Sequence, residues 1–425
     1  MRLTRTLRVL ATSVAIGALL LGAVPTAAAD QVRDGQWPLK AFDTKAIWEI
    51  SRGKGVTVAV IDDGVDAKHQ DLRRSVLSGK SFLDSDRGGE QSEDSGRATA
   101  VASIIAGHGH GVGNASGVMG LAPDAKILPV AVDGSGSQIA SAIRYAVDEG
   151  ASVINVSDGG PDGWDALEQA VAYAVKKDVL VVAAVGDSGT RAEEQLYPAS
   201  YPGVMSVGAV ASDGEVWRES SRGPSVMVTA PGVGVVAAGG PTVASKYRKG
   251  SSTAYASAYV SAAGALLRSK FPELTAGQIA NRLVKTAGLP PSAKGIKLPD
   301  ERYGYGYIQP FAALDRDIPA GPKDGPLKDH GAADSATSSP DDERHPDLDY
   351  VDPNASSWNL PLIGGVFAAI VAGIVGLIVL LTRRRRPAHP APVGYPPHAP
   401  VGYNADNRAP LYSGGPPQTP PPHQP

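Results

Sequence analysis

The sequence predicts an α/β domain built on a mostly parallel central sheet with helices on both faces. The first observation is a continuous β-branched run, Val56-Thr57-Val58-Ala59-Val60-Ile61. Such a run marks a strand buried on both faces. The second is its recurrence, with similar apolar runs at 126–132, 152–156, 179–184 and 203–210. The third is what lies between the runs, namely helix-period stretches at 99–106, 138–149 and 164–177. Strand and helix in alternation imply parallel pairing with crossover helices.

Composition narrows the function classes. The chain has 425 residues, 42% apolar and 20% charged, which leaves room for a large core. Its formal net charge of −3 gives no reason to expect a nucleic-acid partner. Cysteine is absent, so disulfides, thiol nucleophiles and thiolate metal sites are excluded. No cofactor and no metal site are expected.

Both ends carry membrane signals. Arg2, Arg5 and Arg8 precede an apolar run and then Ala27-Ala28-Ala29, so residues 1–29 read as a secretory signal peptide. Residues 30–318 hold the predicted domain, and 319–358 read as a Pro- and Asp-rich linker. Residues 360–381 are free of charge and would span ~33 Å as a helix, enough to cross a bilayer. Arg383 to Arg386 follow at once, which predicts a single-pass anchor with residues 30–358 outside and 382–425 in the cytoplasm. That tail is Pro-rich and repeats Pro-Val-Gly-Tyr at 392–395 and 400–403.

Several segments of the domain stand out. A strand ends in Asp62-Asp63-Gly64-Val65, with His69-Gln70-Asp71-Leu72 beyond it. Arg97-Ala98-Thr99-Ala100-Val101-Ala102 opens a helix. Ser157-Asp158-Gly159-Gly160 follows another strand, and Ala183-Ala184-Val185-Gly186-Asp187-Ser188-Gly189 a third. Ser251-Ser252-Thr253-Ala254 leads into Tyr255-Ala256-Ser257-Ala258-Tyr259-Val260-Ser261, and Tyr303-Gly304-Tyr305-Gly306-Tyr307 closes the series.

In this order and combination the segments resemble the subtilisin-family serine proteases. They are most similar to the mycosins, membrane-anchored proteases associated with type VII secretion. The resemblance covers about two-thirds of the chain, and the layout of leader, domain, linker and membrane helix fits it too. It implies a subtilisin-like three-layer fold and a triad running Asp, His, Ser along the chain. Asp62 fills the triad carboxylate position, at a strand end where open α/β sheets bind ligands. The base position of the family's His-Gly-Thr-x-Val-Ala motif falls on Arg97, and a guanidinium has no acceptor and stays charged. His108 and His110 lie past that helix in a His-Gly-His-Gly loop. The oxyanion-hole asparagine falls on Asp187. Loss of one such donor costs roughly 10²–10³ in rate, and an ionised carboxylate would repel the developing charge as well.

Two registers compete for the nucleophile. The ungapped one keeps the downstream helix in phase and places Ala254 there. The other makes Ser252 the nucleophile but adds two residues to the first turn, rotating the helix by ~200°. Ser157, Asp158, Gly159 and Gly160 correspond to the substrate-binding strand. The departures from the family pattern are thus confined to chemistry-bearing positions. In subtilisin itself, loss of serine or histidine alone costs about 10⁶ in turnover. The expectation is a pseudoprotease whose groove holds an extended peptide or protein ligand near type VII secretion components. An active serine endopeptidase using Ser252 is the alternative. Arg97 is further expected to pair with Asp62 or Asp63, standing in for the lost partner of the buried carboxylate. The segment 31–50 is expected to pack on the domain, with Trp37 and Trp48 as anchors.

Overall fold

The computed structural model describes residues 32–83, 96–189, 196–240 and 246–329. The expected leader, membrane helix, tail and most of the linker lie outside them. Among the described residues no helix is long and apolar enough to cross a membrane.

The seven-stranded central sheet contains β1 (Thr57–Asp62), β2 (Lys80–Ser81), β5 (Lys126–Ala131), β6 (Val153–Val156), β7 (Leu180–Ala184), β8 (Val204–Val210) and β9 (Val228–Pro231). Their order is β2-β5-β1-β6-β7-β8-β9, and every pairing is parallel.

The alternation of side chains along each strand builds two cores. Val58 and Val60 of β1 face one cluster, while Ala59 and Ile61 face the other. The first cluster is closed by α3 (Arg97–Ala106), α6 (Thr253–Lys270), α7 (Ala276–Lys285) and α8 (Pro310–Asp315). The second is closed by α4 (Gly136–Asp148) and α5 (Asp165–Lys176). This is the three-layer arrangement the strand and helix alternation predicts.

Helix α6 runs through the centre of the first layer, and every residue from Thr253 to Arg268 is buried. Its alanines and serines explain this, since small side chains let strands approach closely. At Gly264 the approach is close, because a Cβ there would lie 2.8 Å from Leu180 Cδ2.

The N-terminal segment packs as expected. It forms α1 (Trp37–Ala41) and α2 (Thr44–Ile50). Trp37 Nε1 donates to Val233 O at 3.0 Å, and Trp48 Nε1 to Leu121 O at 2.9 Å. Gln36, fully buried, donates to Met119 O at 2.8 Å and accepts from Met119 N at 3.0 Å.

The structure adds three details to the sequence reading. Residues 108–110 form a short strand, β3 (His108–His110), paired antiparallel with β4 (Ser116–Met119). Glycines between the histidines hid a strand under loop-like composition. A second ribbon, β10 (Val235–Ala238) with β11 (Tyr247–Gly250), leads into α6. The compact domain also runs past residue 318. Leu327 is buried, and its carbonyl accepts from Gly203 N at 2.7 Å. The prolines and charges of 319–329 masked this one apolar anchor.

Candidate active site

Three neighbouring strands, β1, β6 and β7, end on one edge of the sheet, and α3 and α6 begin there. Carboxyl ends of parallel strands and helix N-termini together make a polar, ligand-facing edge. Asp62 is the last residue of β1, Asp158 lies just beyond β6, and Asp187 just beyond β7. Arg97 is the first residue of α3, and Thr253 the first of α6.

The Asp62 side chain is fully buried, and Arg97 grips it along one guanidinium edge. Arg97 Nε donates to both carboxylate oxygens, at 3.0 and 3.2 Å, and Nη2 donates to Oδ1 at 2.8 Å. Nη2 also donates to Asp158 Oδ2 at 2.9 Å. Asp62 Oδ1 accepts from Asp63 N at 2.7 Å, and Asp63 Oδ1 accepts from Ala98 N at 3.3 Å. The pairing of Arg97 with Asp62 expected from the sequence is therefore present. Asp158 as a second anion was not anticipated, because nothing in the spacing of 97 and 158 signals contact.

A cation at a helix N-terminus is disfavoured by the helix dipole, and the two carboxylates offset that. Burial alone would lower the Arg97 pKa. The Asp62 charge and hydrogen bond, followed by those of Asp158, outweigh burial and hold it above its ordinary value. Arg97 stays a cation and offers no lone pair to take a proton.

Ser252 is the N-cap of α6. Its hydroxyl accepts from Ala254 N at 3.1 Å and donates to Asp187 Oδ2 at 2.7 Å. Asp187 Oδ1 accepts from Thr253 N at 2.8 Å and from Thr253 Oγ1 at 2.7 Å. Asp187 is thus the anion at the α6 N-terminus, the place where backbone donors would otherwise meet a ligand. Ser251 faces elsewhere, its hydroxyl accepting from Gly234 N at 3.0 Å. Helix α6 is unbroken from Thr253, and Ala254, in its first turn, is 2% exposed and carries no hydroxyl.

No histidine nitrogen contacts this cluster among the described residues. His69 reaches Lys246 O, His108 reaches Arg73 O and Gly109 O, and His110 reaches Asp71.

Ser157, Asp158, Gly159 and Gly160 follow β6 beside the site. Gly160 already exchanges two main-chain hydrogen bonds with Tyr197, at 3.1 and 2.8 Å. Gly159 N donates to Asp158 Oδ1 at 2.9 Å. A Cβ on Gly134 would lie 3.4 Å from Asp158 Oδ2, so the Asp158 carboxylate stands between this segment and the Gly134 turn.

Comparison with known proteins agrees with this architecture. The profile of the Subtilase family matches residues 53–306. The chain belongs to the subtilase family. This subtilase is 39% identical to subtilisin DY of Bacillus licheniformis over 243 residues, covering 56% of the chain and 85% of that protein. It is 36% identical to the major intracellular serine protease of Bacillus subtilis (strain 168), over 54% of the chain and 74% of the relative. Among the solved structures similar to the subtilase are mycosins. MycP1 with its N-terminal propeptide removed has a TM-score of 0.59 at 30% identity, covering 68% of this chain and 99% of that one. The MycP3 protease from the type VII (ESX-3) secretion system has a TM-score of 0.55 at 32% identity, covering 66% and 88%.

Proposed function

We propose that this subtilase is a catalytically inactive, membrane-anchored protein that binds an extended peptide or protein segment without cutting it. One observation carries the reading: the Arg97 guanidinium occupies the buried Asp62 carboxylate with three hydrogen bonds. In the family's chemistry a triad carboxylate orients an imidazole, which then takes the nucleophile's proton. Here the group on Asp62 is a permanent cation. Ala254 offers no nucleophile at the position the register assigns. Ser252, the alternative nucleophile, spends its hydroxyl on Asp187 and on the helix cap. Loss of base and nucleophile together leaves nothing to form an acyl intermediate.

The anchor rests on sequence alone, the uncharged run 360–381 followed by four arginines. It places the domain outside the cytoplasmic membrane. The likeness to MycP1 and MycP3 supports a role beside type VII secretion machinery, as a binding or scaffold component.

The test is hydrolysis of quenched fluorescent peptides and casein by the purified full chain. We expect no turnover above buffer. Turnover that disappears in Ser252→Ala overturns the proposal and makes Ser252 the nucleophile of an active endopeptidase.

A further inference from the structure

We propose that the cleft recognises a ligand carboxylate, which replaces Asp158 on Arg97. The inference rests on the reading of this subtilase as a non-cleaving binding protein, and it names the chemistry of what is bound.

The two anions on Arg97 are held unequally. Asp62 takes the Nε/Nη2 edge, and its side chain has no exposure to solvent. Asp158 takes a single hydrogen bond from Nη2, and its side chain is 41% exposed. Arg97 Nη1 makes no hydrogen bond to another described residue, and the Arg97 side chain is 37% exposed. Among the described residues the Nη1/Nη2 edge therefore carries one hydrogen bond, on a side chain that is partly exposed. A guanidinium edge matches a carboxylate through two parallel hydrogen bonds, which is stronger and more directional than the single bond Asp158 makes.

The second argument is the main chain. Asp158 Oδ1 accepts from Gly159 N at 2.9 Å, so the same carboxylate also caps the donor that an added strand would need. Its Oδ2 lies toward Gly134, in the space between the two segments. Asp158 acts as an internal stand-in, with one oxygen on Arg97 and the other on a peptide N–H. A ligand that ends in, or carries, a carboxylate would replace both functions at once. Its carboxylate would take the Nη1/Nη2 edge, and its neighbouring carbonyl would accept from Gly159 N. Asp158 would then turn into water.

Charge selects a carboxylate over other ligands. Arg97 now carries two anionic partners, and exchange of one for one preserves that balance. A neutral ligand that displaced Asp158 would leave both Asp158 and the Nη1/Nη2 edge unpaired. A dianion such as phosphate would add charge beside the buried Asp62.

The experiment is fluorescence anisotropy on the full chain with three fluorescein-labelled probes. They are tetra-alanine as the free acid, tetra-alanine amide, and the amide with its last alanine replaced by glutamate. We expect at least one carboxylate probe to bind about tenfold tighter than tetra-alanine amide. The acid identifies a chain terminus as the source, and the glutamate probe a side chain. Asp158→Asn should tighten the preferred probe several-fold, since the internal competitor is weakened. Arg97→Lys should abolish the preference, because it keeps the charge and loses the fork. Equal binding of all three probes overturns the proposal, as does a preference that survives Arg97→Lys or is unchanged in Asp158→Asn. Asp158 is half-exposed, so its variant reads out even if Arg97→Lys fails to fold. Probe mass after titration separates this proposal from the one beneath it. Cleaved probe refutes the non-cleaving reading, whereas the carboxylate preference stands or falls on the affinities.

Discussion

The Arg97 guanidinium lies along the Asp62 carboxylate, with Nη2 2.8 Å from Oδ1 and Nε 3.0 Å from the same oxygen. The carboxylate is wholly buried and the arginine is 37% exposed. Such a pair is held less by its own attraction than by the cost of leaving Asp62 alone. Arg97→Ala should therefore lower stability by about 2–3 kcal/mol, below the ~3–5 kcal/mol of a fully buried pair because water screens the arginine. The double variant Asp62→Asn with Arg97→Gln should recover much of that loss. Urea unfolding of the single and double variants measures both.

The start of α6 gives a second expectation. Ser252 caps the helix, and Asp187 accepts from Ser252 Oγ, Thr253 N and Thr253 Oγ1. Ser252→Ala should cost about 1 kcal/mol, the usual worth of an N-cap side chain. Asp187→Ala should cost more, about 2 kcal/mol, since it removes three hydrogen bonds and a favourable charge at a helix N-terminus. Thermal melts report these losses, and binding of a cleft ligand should survive Ser252→Ala.

Buried tyrosines predict the alkaline behaviour. Burial first, then the Glu215 charge and hydrogen bond, pushes Tyr303 from its ordinary value near 10 up to about 12. Burial likewise raises Tyr259, which is fully enclosed. The folded chain keeps these protons after the unfolded chain has lost them. Their contribution is complete below pH 10 and is lost as pH rises toward 12. The melting temperature should therefore fall steeply above pH 10, and Tyr303→Phe should flatten part of that fall. Circular dichroism melts between pH 9 and 11.5 test this.

The C-terminal boundary is open to a direct test. Leu327 is buried, and its carbonyl bonds Gly203 N. Ending the chain after residue 318 should destabilise the domain by about 2 kcal/mol, the worth of one buried leucine. Ending it after 329 should leave it unchanged. A melting comparison of the two truncations decides.

Much of this was legible in the sequence because its signals are local. The run 56–61 announces β1, and the strand and helix alternation fixes a parallel sheet with two helical layers. Asp62, Arg97, Asp187 and Ala254 could be singled out because each sits inside a recognisable segment. What escaped is long-range or short in extent. Asp158 meets Arg97 across 61 positions of sequence. The capture of Ser252 by Asp187 spans 65. Strand β3 is three residues long and contains Gly109, too little for a period to appear. Leu327 is a single apolar residue among prolines and charges, and one residue has no periodicity at all.

We propose a subtilase cleft without a reactive serine. Incubation of the full chain with a fluorophosphonate probe, followed by peptide mass mapping, tests it most directly. We expect no covalent adduct anywhere in residues 250–260 under conditions that label an active subtilisin completely. A stoichiometric phosphonate adduct on Ser252 would contradict it.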